Sequence, residues 1–244
     1  MAFGIGRALR GKSRKAKAQP YEYEADNLAV RKKNLGFLRN PDFARAWQQA
    51  ADGNAIAWSG RRKDVRWRAH TAVWAARHGL KLEGDFVECG VFLGFLSMTI
   101  CHALNFATVP KTFYLFDTFD GIPDDGSTET ARRNGSYFDC YDQASKNFEP
   151  FPNAKLVRGR LPKTLEDVTI DRIAYLSVDL NHAGTEKAVI NELWDRLSPS
   201  AIVLIDDYAF AKHEDQHEMW DEFATSKGCS VLTMPTGSGV LIRP

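Results

Sequence analysis

Four short apolar runs of this chain end in carboxylates, and a helical pattern follows three of them. Phe86 and Val87 precede Glu88, Thr112 to Phe116 precede Asp117, Ile173 to Val178 precede Asp179, and Ala201 to Ile205 precede Asp206 and Asp207. A fifth run, Lys155 to Val157, leads into Arg158 and Gly159. Runs of this length alternating with helical periodicity predict an α/β fold with a mostly parallel sheet covered on both faces. Ser230 to Met234 and Val240 to Ile242, joined by a Pro- and Gly-containing turn, predict a terminal hairpin that adds an antiparallel strand at or near one edge. Ligands of such sheets bind outside the carboxyl ends of the strands, so the four acidic ends are expected along one rim.

Ahead of the sheet, Asp64 to Gly79 reads as a helix, with Val65, Trp67, His70, Val73, Trp74 and Ala76 at helical spacing and Gly79 at the stop. His70 on that face reads as a core histidine, and Trp67 and Trp74 as packing. Residues 21–63 read as a helical extension with a less distinct pattern. By analogy such an extension covers an active site or builds a homo-oligomer. Residues 1–20 form a basic arm carrying Arg7, Arg10, Lys12, Arg14, Lys15 and Lys17 before the first acid, Glu22. With so little apolar content this arm reads as a solvated tail. The other reading is peripheral contact of residues 1–19 with anionic lipid through Phe3, Ile5 and Leu9.

The 244 residues suffice for one sizeable domain, here 64–244, plus the extension. A net charge of +1 gives no reason to expect a nucleic-acid partner. The four cysteines lack metal-like or C-x-x-C spacing and read as reduced thiols of a cytoplasmic protein. No run approaches the ~18 apolar residues of a membrane span, and the N-terminus lacks the apolar core of a secretory signal.

The turn after the first carboxylate carries the clearest ligand chemistry. Gly90 and Gly94 bracket Val91, Phe92 and Leu93 between a strand and a helix. Glycine there lets the backbone turn sharply and approach a ligand. The G-x-G-x-x-G spacing of dinucleotide sites is missing, and Glu88 would repel a pyrophosphate. A ligand with a ribose and positive charge suits the turn better, and S-adenosylmethionine has both. Asp117, with Thr118 beside it, ends the second strand, where an acid can accept hydrogen bonds from ribose hydroxyls. The competing reading makes Asp117 a helix cap.

Asp179, Asp206 and Asp207 offer hard oxygen ligands from two strand ends. Three carboxylates meeting at one point repel unless a cation lies between them, and an all-oxygen site suits Mg²⁺ or a similar hard ion. Such an ion can bind a substrate hydroxyl and lower its pKa. The alternative is that Asp207 caps the next helix and Asp206 is merely solvated.

Four segments together, Gly84 to Val91, Phe116 to Pro123, Arg196 to Pro199 and Ile205 to Tyr208, resemble the macrocin O-methyltransferase family. The resemblance covers about Arg66 to Pro244. It implies a Rossmann-like class I methyltransferase fold with a seven-stranded sheet and methylation of a sugar hydroxyl on a small-molecule acceptor. It also implies S-adenosylmethionine near Glu88, Gly90, Val91, Phe92, Gly94, Asp117 and Thr118, and Mg²⁺ on Asp179, Asp206 and Asp207. One departure bears on catalysis. Where the family has Asp-Gly-Asp, with the second acid proposed as base, this chain has Asp179, Leu180 and Asn181, and an amide cannot take up a proton. His182 and His213 are the candidate replacements; a metal that acidifies the hydroxyl would make a base unnecessary. The polar insert from Thr118 to about Asn153 reads either as a lid or as a surface excursion with a helix from Tyr141 to Phe148.

Overall fold

Residues 21–58, 64–121 and 137–244 are described by a computed structural model. The basic arm, with its expected lipid contact, and residues 122–136 of the insert lie outside these described residues.

The sheet follows from the burial of the apolar runs. Strands β3 (Asp85–Cys89), β4 (Phe113–Asp117), β5 (Ala154–Arg158), β6 (Ile173–Val178) and β7 (Leu197–Ile205) are parallel, and β9 (Gly239–Ile242) runs antiparallel to β7 with β8 (Leu232–Thr233) outside it. The order across the seven strands is β5-β4-β3-β6-β7-β9-β8, so the expected hairpin forms one edge. Alternate residues of the central strands feed two cores. Phe86, Phe113, Tyr175 and Ile202 face the side covered by α1 (Pro41–Gly53), α2 (Arg66–Gly79), α3 (Phe95–Leu104) and α4 (Tyr141–Phe148). Val87, Tyr114, Leu176 and Val203 face α5 (Ala183–Leu193) and α6 (Glu214–Ser226). Each fully buried large side chain removed from water on folding is worth about 1.5–3 kcal/mol, which is why these strands read as continuous apolar runs rather than alternating ones.

The extension ahead of the sheet corrects the helical reading of residues 21–63. Tyr23–Ala25 (β1) and Leu28–Val30 (β2) pair as an antiparallel hairpin across the turn residues Asp26 and Asn27. Both turn residues have positive φ, 53° and 57°. Two left-handed residues in a two-residue loop make the type I′ turn that matches strand twist, and Asp and Asn tolerate that conformation. Helical structure does follow in α1, capped by the Asn40 side chain accepting from Phe43 N at 2.9 Å, with Pro41 in the first turn. Trp47 of α1 packs edge-on against Phe95 of α3, 4.7 Å between ring centroids, so α1 shares the core of the sheet.

In α2, His70 stacks on Phe37 at 4.2 Å and Trp67 packs against Phe37 and Tyr23, in line with packing for Trp67, whereas His70 is half-buried beside a groove rather than in the core. Trp74 departs from its expected packing role and is 53% exposed. It borders an apolar groove of about 1300 Å³ between β2, α2 and the β8–β9 edge. The helix expected at Tyr141 to Phe148 forms as α4. No helix among the described residues is long and apolar enough to cross a membrane.

Candidate active site

The glycine turn is built by backbone contacts that a side chain would obstruct. Gly90 sits at φ 89°, and a Cβ there would fall 1.8 Å from the carbonyl oxygen of Asp179. Asp179 N donates to Cys89 O at 2.8 Å, so the ends of β3 and β6 touch at this point. Gly94 caps α3 at φ 80°, where a Cβ would meet the Phe148 ring at 2.4 Å. Between them the N–H groups of Val91 and Phe92 both donate to Asp117 Oδ2, at 2.6 and 2.7 Å. Asp117 Oδ1 accepts from Phe119 N at 2.7 Å. Thr118 donates its hydroxyl to Gly121 O at 2.6 Å and lies 3.3 Å from Asp117 Oδ1. Asp117 therefore ties the β3–α3 turn to the end of β4, and it begins no helix. Phe92 packs edge-on against Tyr137 and Phe138.

Glu88 lies beneath the turn, 4% exposed, with Oε2 buried and lacking a hydrogen-bond partner among the described residues. Burial pushes its carboxyl up to about 8, and the nearby charges of Asp206 and Asp117 add to the rise while a hydrogen bond from Ser97 opposes it. An orphaned acid in this position fits a cationic ligand.

At the ends of β6 and β7, Asp179, Asp206 and Asp207 each present an oxygen within 4.8 Å of the others. Burial first, then mutual repulsion, raises Asp179 well above the usual carboxylate range. Asp206 is lifted to about 6, with burial outweighing the opposing charge of Arg68. Arg68 is the residue that sequence reasoning missed. Its Nη1 donates to Asp206 Oδ2 at 2.7 Å and lies 3.9 Å from Asp207 Oδ1. Its Nε and Nη2 bind Asp26 of the hairpin turn at 2.7 and 2.8 Å, and its guanidinium lies over the Phe210 ring at 4.5 Å. One guanidinium against three clustered carboxylates leaves negative charge in excess, and Asp206 Oδ1 is buried without a partner among the described residues. The donor set therefore fits a hard divalent cation.

The two candidate histidines differ in setting. His182 is exposed and caps α5, its Nδ1 accepting from Thr185 N at 3.1 Å. His213, 8% exposed, directs Nε2 towards Asp207 Oδ2 at 3.8 Å while Nδ1 pairs with Gln216 Oε1. The structure thus brings His213 to the acidic cluster and leaves the His182 ring at the surface. Asn181, at φ 57°, donates to Asp179 Oδ1 at 3.0 Å. Behind this wall Glu186, 1% exposed, accepts from Trp220 Nε1 and Gln216 Nε2, both at 2.7 Å, and from Leu180 N at 3.3 Å. Burial lifts its carboxyl to about 7 against the pull of those three donors. A sequence signal for Glu186 and Gln216 does exist. Each occupies a core-facing position of a helical stripe, Glu186 with Val189, Ile190 and Leu193, and Gln216 with Met219, Trp220 and Phe223. Arg68 and Asp26 have no such signal, because Arg68 and Asp206 are 138 residues apart.

The chain is similar in sequence and fold to known O-methyltransferases. The tetracenomycin 4'-O-methyltransferase of Streptomyces olivaceus, named for 8-demethyl-8-(2,3-dimethoxy-alpha-L-rhamnosyl)-tetracenomycin-C, is 26% identical over 174 residues, 66% of this chain and 66% of the relative. Demethyldecarbamoylnovobiocin O-methyltransferase of Streptomyces niveus is 27% identical over 143 residues, 53% of this chain and 55% of the relative. The matched stretch thus spans about half to two thirds of these curated relatives. The solved structure of the O-methyltransferase NovP superposes with a TM-score of 0.62 at 22% identity, covering 72% of this chain and 79% of that one, which shows the class I methyltransferase fold. The family pattern described as macrocin-O-methyltransferase (TylF) matches residues 45–234, well over half of the chain, and the protein belongs to that family.

Proposed function

We propose that the protein is an S-adenosylmethionine-dependent O-methyltransferase that methylates a hydroxyl of a sugar or glycosylated small molecule, assisted by a divalent cation. One observation carries the reading. The glycine turn beside Glu88 and the acidic cluster touch through Gly90 and the Asp179 carbonyl, so a cationic cofactor and a cation-bound acceptor would meet at one seam. In this reading Glu88 balances the positive charge of the cofactor and the turn from Gly90 to Gly94 supports it. Asp117 and Thr118 hold that turn in shape, and Asp117 faces the ribose. When bound there, S-adenosylmethionine would supply an electrophilic methyl group on a sulfonium leaving group. Asp179, Asp206 and Asp207 would hold Mg²⁺ or a similar ion, which when bound supplies Lewis acidity to the acceptor hydroxyl. His213 is better placed than His182 to take the hydroxyl proton, since its Nε2 faces the cluster. Most of the rate would come from holding the two reactants in line. The four cysteines are free thiols, three of them buried, which supports a reducing, cytoplasmic setting.

Calorimetry with S-adenosylhomocysteine tests the cofactor. Binding to the wild type and its loss in Asp117→Ala are expected, and absence of binding to the wild type sinks the proposal. Methyl transfer to glycoside acceptors, assayed with and without a chelator, tests the ion separately. Full activity in excess chelator would remove it from the mechanism.

A further inference from the structure

The groove between β2, α2 and the β8–β9 edge takes no part in the site at the strand ends. Trp67, His70 and Trp74, together with Phe37, give it an aromatic wall. Trp67 and Trp74 lie seven residues apart on α2, about 10 Å along the helix axis. Val231, Leu232, Val240 and Ile242 give it an aliphatic wall at the sheet edge. Three of the six exposed large apolar side chains among the described residues, Trp74, Leu232 and Ile242, line this one groove, which makes them a patch rather than scatter. Arg31 and Lys33, both exposed, line it from the segment after β2. Neither has a hydrogen-bond or ion-pair partner among the described residues. No carboxylate lines the groove among those residues; Glu22, which accepts from Lys32 N at 2.8 Å, lies outside the lining. Burial, and then the charge of Arg77, holds His70 below its ordinary value, so its ring adds aromatic surface rather than charge.

We propose that this groove binds an anionic amphiphile, a long-chain fatty carboxylate, with its chain between the aromatic and aliphatic walls and its head group on Arg31 and Lys33. Charge and shape decide between occupants. Residues 1–20 offer Phe3, Ile5 and Leu9, but their six cations would meet Arg31 and Lys33 with like charge. A second copy adding a strand at this edge has only the two residues of β8 to pair with, and short edge strands resist such addition. A carboxylate instead meets two cations with no competing acid in the lining. An alkyl chain asks nothing of the walls but contact, and about 1300 Å³ leaves room for it. The cationic segment continues from the β1–β2 hairpin, whose turn Arg68 holds through Asp26, so a bound chain also ties that hairpin to the β8–β9 edge. Arg31 and Lys33 precede the family-matched stretch 45–234, and the proposal is independent of the methyl-transfer reading.

The test is a titration of the full-length protein with dodecanoate, kept below its micelle threshold and followed by calorimetry and tryptophan fluorescence. Saturable binding at one site is expected, with a change in emission that is largely lost in Trp74→Phe while the calorimetric affinity stays. Dodecyltrimethylammonium, with the same chain and the opposite charge, should bind at least about tenfold more weakly. The double variant Arg31→Ala, Lys33→Ala should weaken dodecanoate binding about threefold to tenfold, as fits two exposed ion pairs. Leu232→Asp sets a like charge in the aliphatic wall and should weaken it at least about tenfold. Because Leu232 is exposed, that variant should melt at the wild-type temperature, which separates a lost site from a lost fold. Absence of saturable binding, unchanged affinity in both variants, or tighter binding of the cationic amphiphile overturns the proposal. Uptake onto anionic vesicles without binding of free dodecanoate also overturns it. So does a dimer that Leu232→Asp dissolves and dodecanoate cannot, since a second copy would then be the occupant.

Discussion

The two halves of the rim are held together by different means. At the ends of β3 and β4, the turn is shaped by glycines and by one carboxylate gathering backbone N–H groups. At the ends of β6 and β7, the cluster is shaped by side chains reaching in from Asp26, Arg68, Glu186 and Gln216, which lie far apart in the chain. The first half is made of local geometry, and the second of long-range charge and hydrogen bonding. That difference decides how each should respond to damage.

The largest expected effect falls on the second half. Arg68→Met leaves buried acids without their counter-charge, and breaking a buried ion pair costs about 3–5 kcal/mol. Denaturant melts should show this loss, and added Mg²⁺ should recover part of it. Affinity for S-adenosylhomocysteine should stay within about threefold, and a collapse of that affinity would erase the distinction between the halves. Gly90→Ala comes next, at about 3 kcal/mol, from a Cβ pressed on the Asp179 carbonyl and a left-handed φ. Here calorimetry should show cofactor binding lost together with stability, because the clash lies at the seam.

A smaller, pH-dependent effect belongs to Glu88. Its folded carboxyl titrates at about 8, above the ordinary value of 4.5, so the native state favours the protonated form. The associated stability is fully present below about pH 4.5 and is lost as pH rises through about 8. Tm of the ligand-free protein should therefore fall across that window, by about 2–4 °C per kcal/mol lost in a domain of this size. Glu88→Gln should flatten the slope. A cation bound beside Glu88 draws out its ionised form, so cofactor uptake near pH 7 should release a proton, measurable as a dependence of binding enthalpy on buffer. The smallest effect is expected from His182→Ala, which removes a helix cap worth about 1 kcal/mol and should leave turnover within about threefold. A loss comparable to that of His213→Ala would move the base to the surface histidine.

The same contrast explains what could be read from the chain. Gly90, Gly94 and the acids at strand ends were legible because a strand, a turn and a helix are written in consecutive residues. The acidic cluster was legible because parallel strands bring their carboxyl ends to one rim. The β1–β2 hairpin was not, since three-residue strands carrying Leu28 and Val30 also satisfy helical spacing, and only the left-handed pair Asp26 and Asn27 marks the turn. Arg68 looked like one more charge on a helix. Nothing near it in sequence says that Asp206 and Asp26 will close around it.

The clearance at Gly90 also sets a rule for re-engineering. The backbone of Cys89, Gly90 and Asp179 forms a joint with no spare volume, so chimeras of this fold should take the ends of β3 and β6 from one parent. Any donor sequence that brings a side chain to position 90 would wedge the end of β3 away from the end of β6.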